Sequence, residues 1–364
     1  MIYIYDFITS TFSTARFRCV RLFIYVCFSI SFLACSTYSS SEEEQETDKN
    51  STNNLDSANV LAADTLDIMP EKQEITEVPF KLFSIQTWGN GKDFNLSFVS
   101  LAEGYPWNDS TNRIIEEKYL NEYDPKTHNK HKINGERRTL FFEKRGIRES
   151  DTVYIYFYQK DSLIKRSIAN TPLTGIISPY VSSNDFPVPE YDFMVGLDLE
   201  TNTREEMMKF AHGGFAAVSS ENPFVRGKSE QAIFKEVSAK FFPVDDSISM
   251  TYPKVKHFQY SNTDYDYFVR DFGDSYLSER LMVIRRKSDR EIIFNRKFLS
   301  GEGTEITPIL PNEVPEYYGI WTGKIFKYKP PVLIGLQSQS FGCPSVNFVD
   351  EKVPGIYIYC DNRH

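Results

Sequence analysis

The chain is poor in the residues and motifs that most often perform catalysis or bind metals. Its 364 residues include five histidines and five cysteines, and no two cysteines have the Cys-x-x-Cys spacing of a zinc site. The chain also lacks a Gly-x-Ser-x-Gly nucleophile element and a complete Gly-x-x-x-x-Gly-Lys phosphate loop. We therefore predict no catalytic residue, no metal site and no cofactor.

Positive charge and long apolar runs are scarce as well. The 41 lysines and arginines are outnumbered by 50 acidic residues, and no basic stripe is present. A nucleic-acid partner is therefore not expected. The strongest apolar run, residues 22–34, is shorter than the roughly 20 residues that a membrane-spanning helix needs. No other segment approaches that length, so the sequence predicts no spanning helix.

The apolar run has the flanks of an export signal. Three arginines in residues 16–21 precede it and a polar, acidic tract follows it, an order typical of a secretory signal peptide. The run ends in Phe32-Leu33-Ala34-Cys35, which resembles the lipobox of bacterial lipoproteins, although the commonest lipobox has Leu and a small residue where Phe32 and Leu33 stand. The resemblance implies cleavage after residue 34 and lipidation of Cys35. An uncleaved N-terminal membrane anchor is the alternative.

A polar tract of about forty residues follows Cys35. Residues 36–75 contain ten acidic residues and two lysines, including the run Glu42-Glu43-Glu44-Gln45-Glu46. This run resembles the surface-export signal of Bacteroidetes-type lipoproteins, and an ordinary solvated linker is the alternative. In either case the tract has too little apolar content to offset the entropy of ordering, so we predict a disordered tether.

Two cysteines remain in the body of the chain once the signal peptide and Cys35 are set aside. These are Cys343 and Cys360. An even pair in an exported protein indicates a disulfide, and two buried free thiols are the alternative.

The body favours β-structure because it is rich in aromatic and β-branched residues with alternating polarity. Turn-forming residues such as Lys287-Ser288-Asp289-Arg290 separate the apolar runs and predict hairpins. The strands predicted in this way are 80–84, 94–101, 152–159, 163–168, 192–199, 281–285, 291–298, 331–336 and 356–360.

Two short helices are predicted in the middle of the chain. Thr203–Ala211 has a threonine cap followed by two glutamates. Ser229–Phe241 places apolar residues at helical spacing and ends before Pro243. The predicted fold is therefore mainly β, with antiparallel sandwich-like sheets and a small helical insertion in the middle. The expected segments are a signal peptide at 1–34, a lipidated acidic tether at 35–75, a β-rich unit at 76–200, a short helical segment at 201–250 and a second β-rich unit at 251–364; one large sandwich is the alternative.

Rows of tyrosines are the candidate ligand-binding feature. Tyr154, Tyr156 and Tyr158 alternate along one predicted strand and so share a face, and Tyr357 and Tyr359 form a shorter row. Exposed aromatic rows offer rigid contact area to a glycan or a protein. The alternative is that a second sheet covers them.

These observations favour a lipid-anchored binding or structural protein of the cell envelope. We expect it at the outer membrane, attached through its lipid and exposed at the cell surface; a periplasm-facing position is the alternative. The expected partners are the membrane and a glycan or protein ligand. An envelope hydrolase is the second hypothesis, because paired carboxylates act through their separation in space, which a sequence does not show.

Overall fold

The computed structural model describes residues 80–89, 95–201, 203–211, 213–243, 254–273, 277–309 and 319–362. All of them belong to one compact unit, residues 73–364. The signal peptide, the lipidation site Cys35 and the acidic tether lie outside the described residues, so those predictions stay predictions.

The body is mainly β, as predicted, with antiparallel sandwich-like sheets. Three α-helices occur in the described ranges: α1 (Glu117–Asn121), α2 (Gly135–Arg145) and α3 (Arg204–Met208). The strands are β1 Lys81–Gly89, β2 Asn95–Ser100, β3 His131–Lys132, β4 Thr152–Phe157, β5 Ser162–Ser167, β6 Leu173–Ile177, β7 Phe193–Asp198, β8 Gly214–Ser219, β9 Ser229–Gln231, β10 Lys235–Glu236, β11 Val255–Ser261, β12 Tyr265–Gly273, β13 Leu277–Arg286, β14 Ile292–Leu299, β15 Thr304–Ile306, β16 Trp321–Gly323, β17 Val332–Ile334, β18 Gln337–Gln339, β19 Ser345–Phe348 and β20 Ile356–Tyr359.

Strand pairing joins the two ends of the body. The larger sheet has 13 strands, and within it β1 pairs antiparallel with β2 and β8 and parallel with β20. A second sheet of five strands runs in the order β10-β11-β12-β13-β14. The boundary expected within residues 201–250 therefore does not separate two sheets, since strands from both sides of it share the larger one.

The side chains that point inward form several apolar clusters. One cluster combines β1, β2, β4, β6 and β7 with α2 and contains Phe83, Phe141 and Phe193. Another lies on the five-stranded sheet around Met282 and Ile284. Strands with residues buried on both faces, such as β4 and β7, have near-continuous apolar sequences because both of their faces are covered.

The first predicted helix is confirmed and the second is wrong. Thr203 caps α3, and its hydroxyl accepts a hydrogen bond from the Glu206 amide in a capping box. Residues 229–241 instead form β9, β10 and a 3-10 turn at Ala239–Phe241. There β9 pairs with β16 and β10 pairs with β11, so pairing with distant strands overrides the helical spacing.

Candidate functional site

A pocket of about 320 Å³ opens where the C-terminal strand meets the loop after β2. Aromatic rings and carboxyl groups dominate its described lining. The lining residues are Ala102, Glu103, Gly104, Tyr105, Trp107, Tyr191, Tyr357, Cys360, Asp361 and Asn362.

A turn after β2 shapes the first wall of the pocket. Just after β2, the Leu101 amide donates a hydrogen bond to the Val195 carbonyl of β7. The chain then turns, and the Tyr105 amide donates to the Ala102 carbonyl at 3.0 Å. Gly104 has φ +75° at the third position of this turn, a conformation that glycine adopts without strain. A Cβ there would also lie 3.0 Å from Nη1 of Arg145. The positive φ therefore favours glycine at 104, and the close approach of the Arg145 side chain adds to that preference.

Glu103 connects this loop to the C-terminal strand. Its Oε1 accepts a hydrogen bond from the Tyr357 hydroxyl at 2.7 Å, and its Oε2 accepts one from the Cys360 amide at 2.8 Å. A carboxylate offers about four acceptor positions, and these two bonds use one position on each oxygen. Partial burial and the hydrogen bond to Glu103 raise the pKa of Tyr357 to about 12.

A disulfide also holds the C-terminal end of this strand, at the residue that follows it. Cys343 and Cys360 are bonded, with their Cα atoms 5.5 Å apart. The Sγ atom of Cys343 lies 3.6 Å from Oε2 of Glu103. The chain-entropy model assigns such a cross-link about 3 kcal/mol of stabilisation. The pocket wall is thus held by both covalent and hydrogen bonds.

Tyr105 and Trp107 form the aromatic base of the pocket. Their ring centroids are 4.9 Å apart in an edge-to-face arrangement, and Tyr105 also stacks on Phe141 of α2. The Tyr105 hydroxyl donates to the Asn112 carbonyl. Burial and the nearby carboxylate of Glu190 raise the pKa of Tyr105 to about 12. Tyr105 is therefore a fixed, neutral ring, whereas Trp107 is half-buried and borders the cavity.

Tyr191 comes to the pocket from a short 3-10 turn, Glu190–Asp192. Glu190 anchors this turn, because its Oε1 accepts hydrogen bonds from the amides of Ile114 and Ile115 at 2.9 and 2.7 Å. Tyr191 is 46% exposed and Tyr357 is 44% exposed. Both rings therefore present accessible faces to a ligand.

A buried arginine stands behind the wall. Arg145 ends α2, and the glycine that follows it, Gly146, adopts the left-handed conformation that closes the helix. Nε and Nη2 of Arg145 have no hydrogen-bond partner among the described residues, and its guanidinium lies 5.7 Å from the Tyr359 ring. Burial lowers the pKa of Arg145, while Tyr359 and Glu103 oppose this effect. Arg145 therefore provides a positive charge near Glu103, although it is not among the residues that line the pocket.

The tyrosine row of β4 is covered by other residues. Tyr154 and Tyr156 are 7% and 0% exposed, and Tyr158 is half-buried. Tyr156 stacks on Phe224 at 5.1 Å, and its hydroxyl donates to Oδ1 of Asp161 at 2.6 Å. The interpretation of this row as an exposed binding surface is therefore wrong, because the segments containing Phe224 and Phe326 pack on it. Only the shorter row, through Tyr357, reaches the pocket.

Histidines do not form a metal centre in the part of the chain that the structure describes. No cluster of three or more His, Cys, Asp or Glu side chains able to hold a metal occurs there. The Nδ1 atom of His128 lies 2.9 Å from the Tyr123 hydroxyl, and the His131 ring stacks on Tyr119. Burial lowers the pKa of His131, so this ring is a neutral part of the core.

Sequence reasoning missed most of the pocket. Glu103, Trp107, Tyr191 and Asp361 carry no motif, and they are brought together from three distant parts of the chain. The disulfide prediction gave one signal, since Cys360 lies in the wall. A loop with two aromatic residues and a glycine, such as 103–107, was the other feature that could have been singled out.

The comparisons with known proteins add no family to this description. The chain matched no protein-family model, no curated protein and no solved structure. Within the described ranges, no helix has both the length and the apolar character needed to cross a membrane.

Proposed function

We propose that this protein is a lipid-anchored binding protein of the bacterial cell envelope, and that the pocket between Glu103 and Tyr357 takes its ligand. The signal-like residues 1–34, Cys35 and the acidic tract support attachment to the outer membrane. The tract would hold the body away from the lipid, at the cell surface. A glycan or a protein is the ligand class that such a position favours.

The observation that carries the binding proposal is the fixed aromatic pocket. Accessible aromatic faces at Tyr191 and Tyr357 flank Glu103, whose oxygens are held by Tyr357 and Cys360. Pockets that bind small ligands combine apolar lining with a few convergent polar groups in this way. Because the disulfide and hydrogen bonds fix the wall beforehand, little ordering entropy is lost when a ligand binds.

Trp107 provides a direct reporter of occupancy. The chain contains three tryptophans, and of these Trp107 borders the cavity. We expect a saturable change in tryptophan emission when the protein is titrated with a panel of monosaccharides and small amines. The change should disappear in Trp107→Phe and persist in the matched variant Trp88→Phe. If no probe in the panel produced a saturable change, binding in this pocket would be contradicted.

A hydrolase is a second candidate, because Glu103 and Asp361 bring two carboxyl groups to one concave site. Paired carboxyl groups are the machinery of glycoside hydrolysis. However, both oxygens of Glu103 accept hydrogen bonds from the protein itself, as expected of a group that builds a wall. Release of nitrophenol from aryl glycosides by wild type, and its loss in Glu103→Gln, would favour the hydrolase over the binding protein.

A further inference from the structure

We infer that the ligand of this pocket is a neutral hexopyranose, one uncharged sugar unit of a glycan. This inference rests on the proposed binding function and specifies which kind of glycan the pocket takes. It is carried by three features of the wall: the hydrogen bonds that its groups already make, the balance of charge around Glu103, and the aromatic rings of the lining.

The groups that fix the wall use their hydrogens inside the protein. The Tyr357 hydroxyl and the Cys360 amide both donate to the Glu103 carboxylate. A phenol oxygen that donates its hydrogen still accepts a bond, and an ionised carboxylate only accepts. At Tyr357 a ligand therefore meets an acceptor, and it needs a hydrogen of its own to donate. The hydroxyl groups of a sugar supply such hydrogens, whereas the ionised carboxylate of an acidic ligand does not.

The charge of the wall is balanced within the protein. Glu103 accepts two hydrogen bonds, and its charge interacts favourably with the buried guanidinium of Arg145. Asp361 also has an interaction partner in the chain. A cationic ligand would add a second positive charge near Arg145, and an anionic ligand would add a negative charge beside Glu103. An uncharged ligand avoids both and loses less hydration on entering the pocket.

The aromatic rings suit the shape of a sugar ring. Tyr191 and Tyr357 are 46% and 44% exposed, and both line the cavity. A hexose carries hydroxyl groups around its edge and C–H groups on its faces, so it can place an apolar face on a ring while its hydroxyls reach polar groups. The cavity of about 320 Å³ is at the lower end of the roughly 300–1,000 Å³ of ligand pockets. It therefore suits one sugar unit rather than several.

The closing experiment compares sugars of one shape and three charges. The probes are the methyl glycosides of a neutral hexose, of its amino sugar and of its uronic acid, each in the gluco, galacto and manno configuration. Each probe is titrated against the full-length protein by calorimetry. The tightest neutral glycoside should bind at least about tenfold more tightly than its charged counterparts, and its affinity should not change with salt concentration. The same glycoside with every hydroxyl methylated should not bind, because it has no hydrogen to donate.

Tyrosine variants then assign the binding to the pocket. Tyr191→Ala removes a ring, and the affinity for the neutral glycoside should fall about tenfold. The matched control Tyr180→Ala, at a tyrosine that is 69% exposed and outside the described lining, should leave the affinity unchanged. Tyr357→Phe keeps the ring and removes the accepting hydroxyl, so the affinity should fall about three- to tenfold.

The possible outcomes separate this inference from the proposed function. Equal or tighter binding of the amino sugar or the uronic acid, or binding of the methylated glycoside, would overturn the neutral sugar and leave a binding protein. Sugar affinity that is unchanged in both Tyr191→Ala and Tyr357→Phe would also overturn it. Binding of small amines without any glycoside would do the same, whereas binding of neither class would contradict both proposals.

Discussion

At the scale of single residues, Glu103 determines the geometry of the pocket. Its carboxylate accepts hydrogen bonds from the Tyr357 hydroxyl and the Cys360 amide. These bonds attach the loop after β2 to β20. Hydrogen bonds to a charged acceptor are worth about 1.5–3 kcal/mol. Such a bond between residues 103 and 357 has no local sequence signal, because neither residue forms a motif with its neighbours. The site could therefore not be predicted from the sequence.

Because of the hydrogen bond between Glu103 and Tyr357, we expect Tyr357 to ionise at a higher pH than an ordinary tyrosine. Tyr357 has a pKa of about 12, so it should remain protonated where an ordinary tyrosine, with a pKa of about 10, has ionised. Since the folded value is the higher one, the contribution to stability is present below pH 10, and it is lost as pH rises toward 12. In Glu103→Gln the pKa should fall toward its ordinary value, because the adjacent negative charge is gone.

Carbon-13 NMR of labelled tyrosine rings measures this pKa, and Tyr357→Phe assigns the resonance. Tyr105 is an internal control, because its raised pKa is caused by burial and by Glu190 and Asp109. It should not respond to Glu103→Gln. A Tyr357 pKa that is near 10 in wild type, or unchanged in the variant, would contradict the bond.

At the scale of elements, periodicity predicted the longer strands and hairpins but not every element. The alternation in residues 152–159 and the turn at 287–290 predicted β4 and the β13–β14 hairpin. Helix α2 was missed, although Gly146 and the basic pair Lys144-Arg145 mark its end. Its sequence places Phe141 and Phe142 side by side, so the apolar positions are too close together to show a clear helical stripe.

Within residues 229–241, the structure predicts different effects on stability for substitutions at two adjacent residues, Ile233 and Phe234. Phe234 is 2% exposed and packs in the cluster of the five-stranded sheet, while Ile233 is 44% exposed. Phe234→Ala should therefore lower the free energy of unfolding by about 3–5 kcal/mol. Ile233→Ala should change it by about 0.5 kcal/mol.

Urea denaturation of the two variants provides the comparison, with Ala at both positions as the matched change. A helix over this segment would place Ile233 on the buried face. A larger loss of stability for Ile233→Ala than for Phe234→Ala would therefore contradict the observed strands.

At the scale of the whole molecule, composition was a better guide than motifs. The richness in aromatic and β-branched residues predicted a mainly β body, and the structure confirms this. The arrangement of strands was beyond prediction, because the pairing of β1 with β20 joins residues nearly 280 positions apart, as in the Leu82–Ile358 pair. Whether a tyrosine row is exposed depends on such pairings too, which is why the β4 row proved to be covered.

The molecule as a whole is proposed to present its pocket at the end of a lipid tether. In this proposal the attachment depends on Cys35, since residues 36–75 are polar and acidic. More than one acyl chain on this cysteine would give stable anchoring. Replacing Cys35 should therefore release the body with its pocket intact.

The most direct test of the central claim is membrane fractionation of the native host, combined with intact-mass analysis, on wild type, Cys35→Ala and the matched control Cys27→Ala. The account predicts that wild type and Cys27→Ala lose residues 1–34, carry acyl mass on Cys35 and sediment with membranes, whereas Cys35→Ala does not. Full membrane retention of Cys35→Ala, or an unprocessed wild-type N-terminus without acyl mass, would contradict the account.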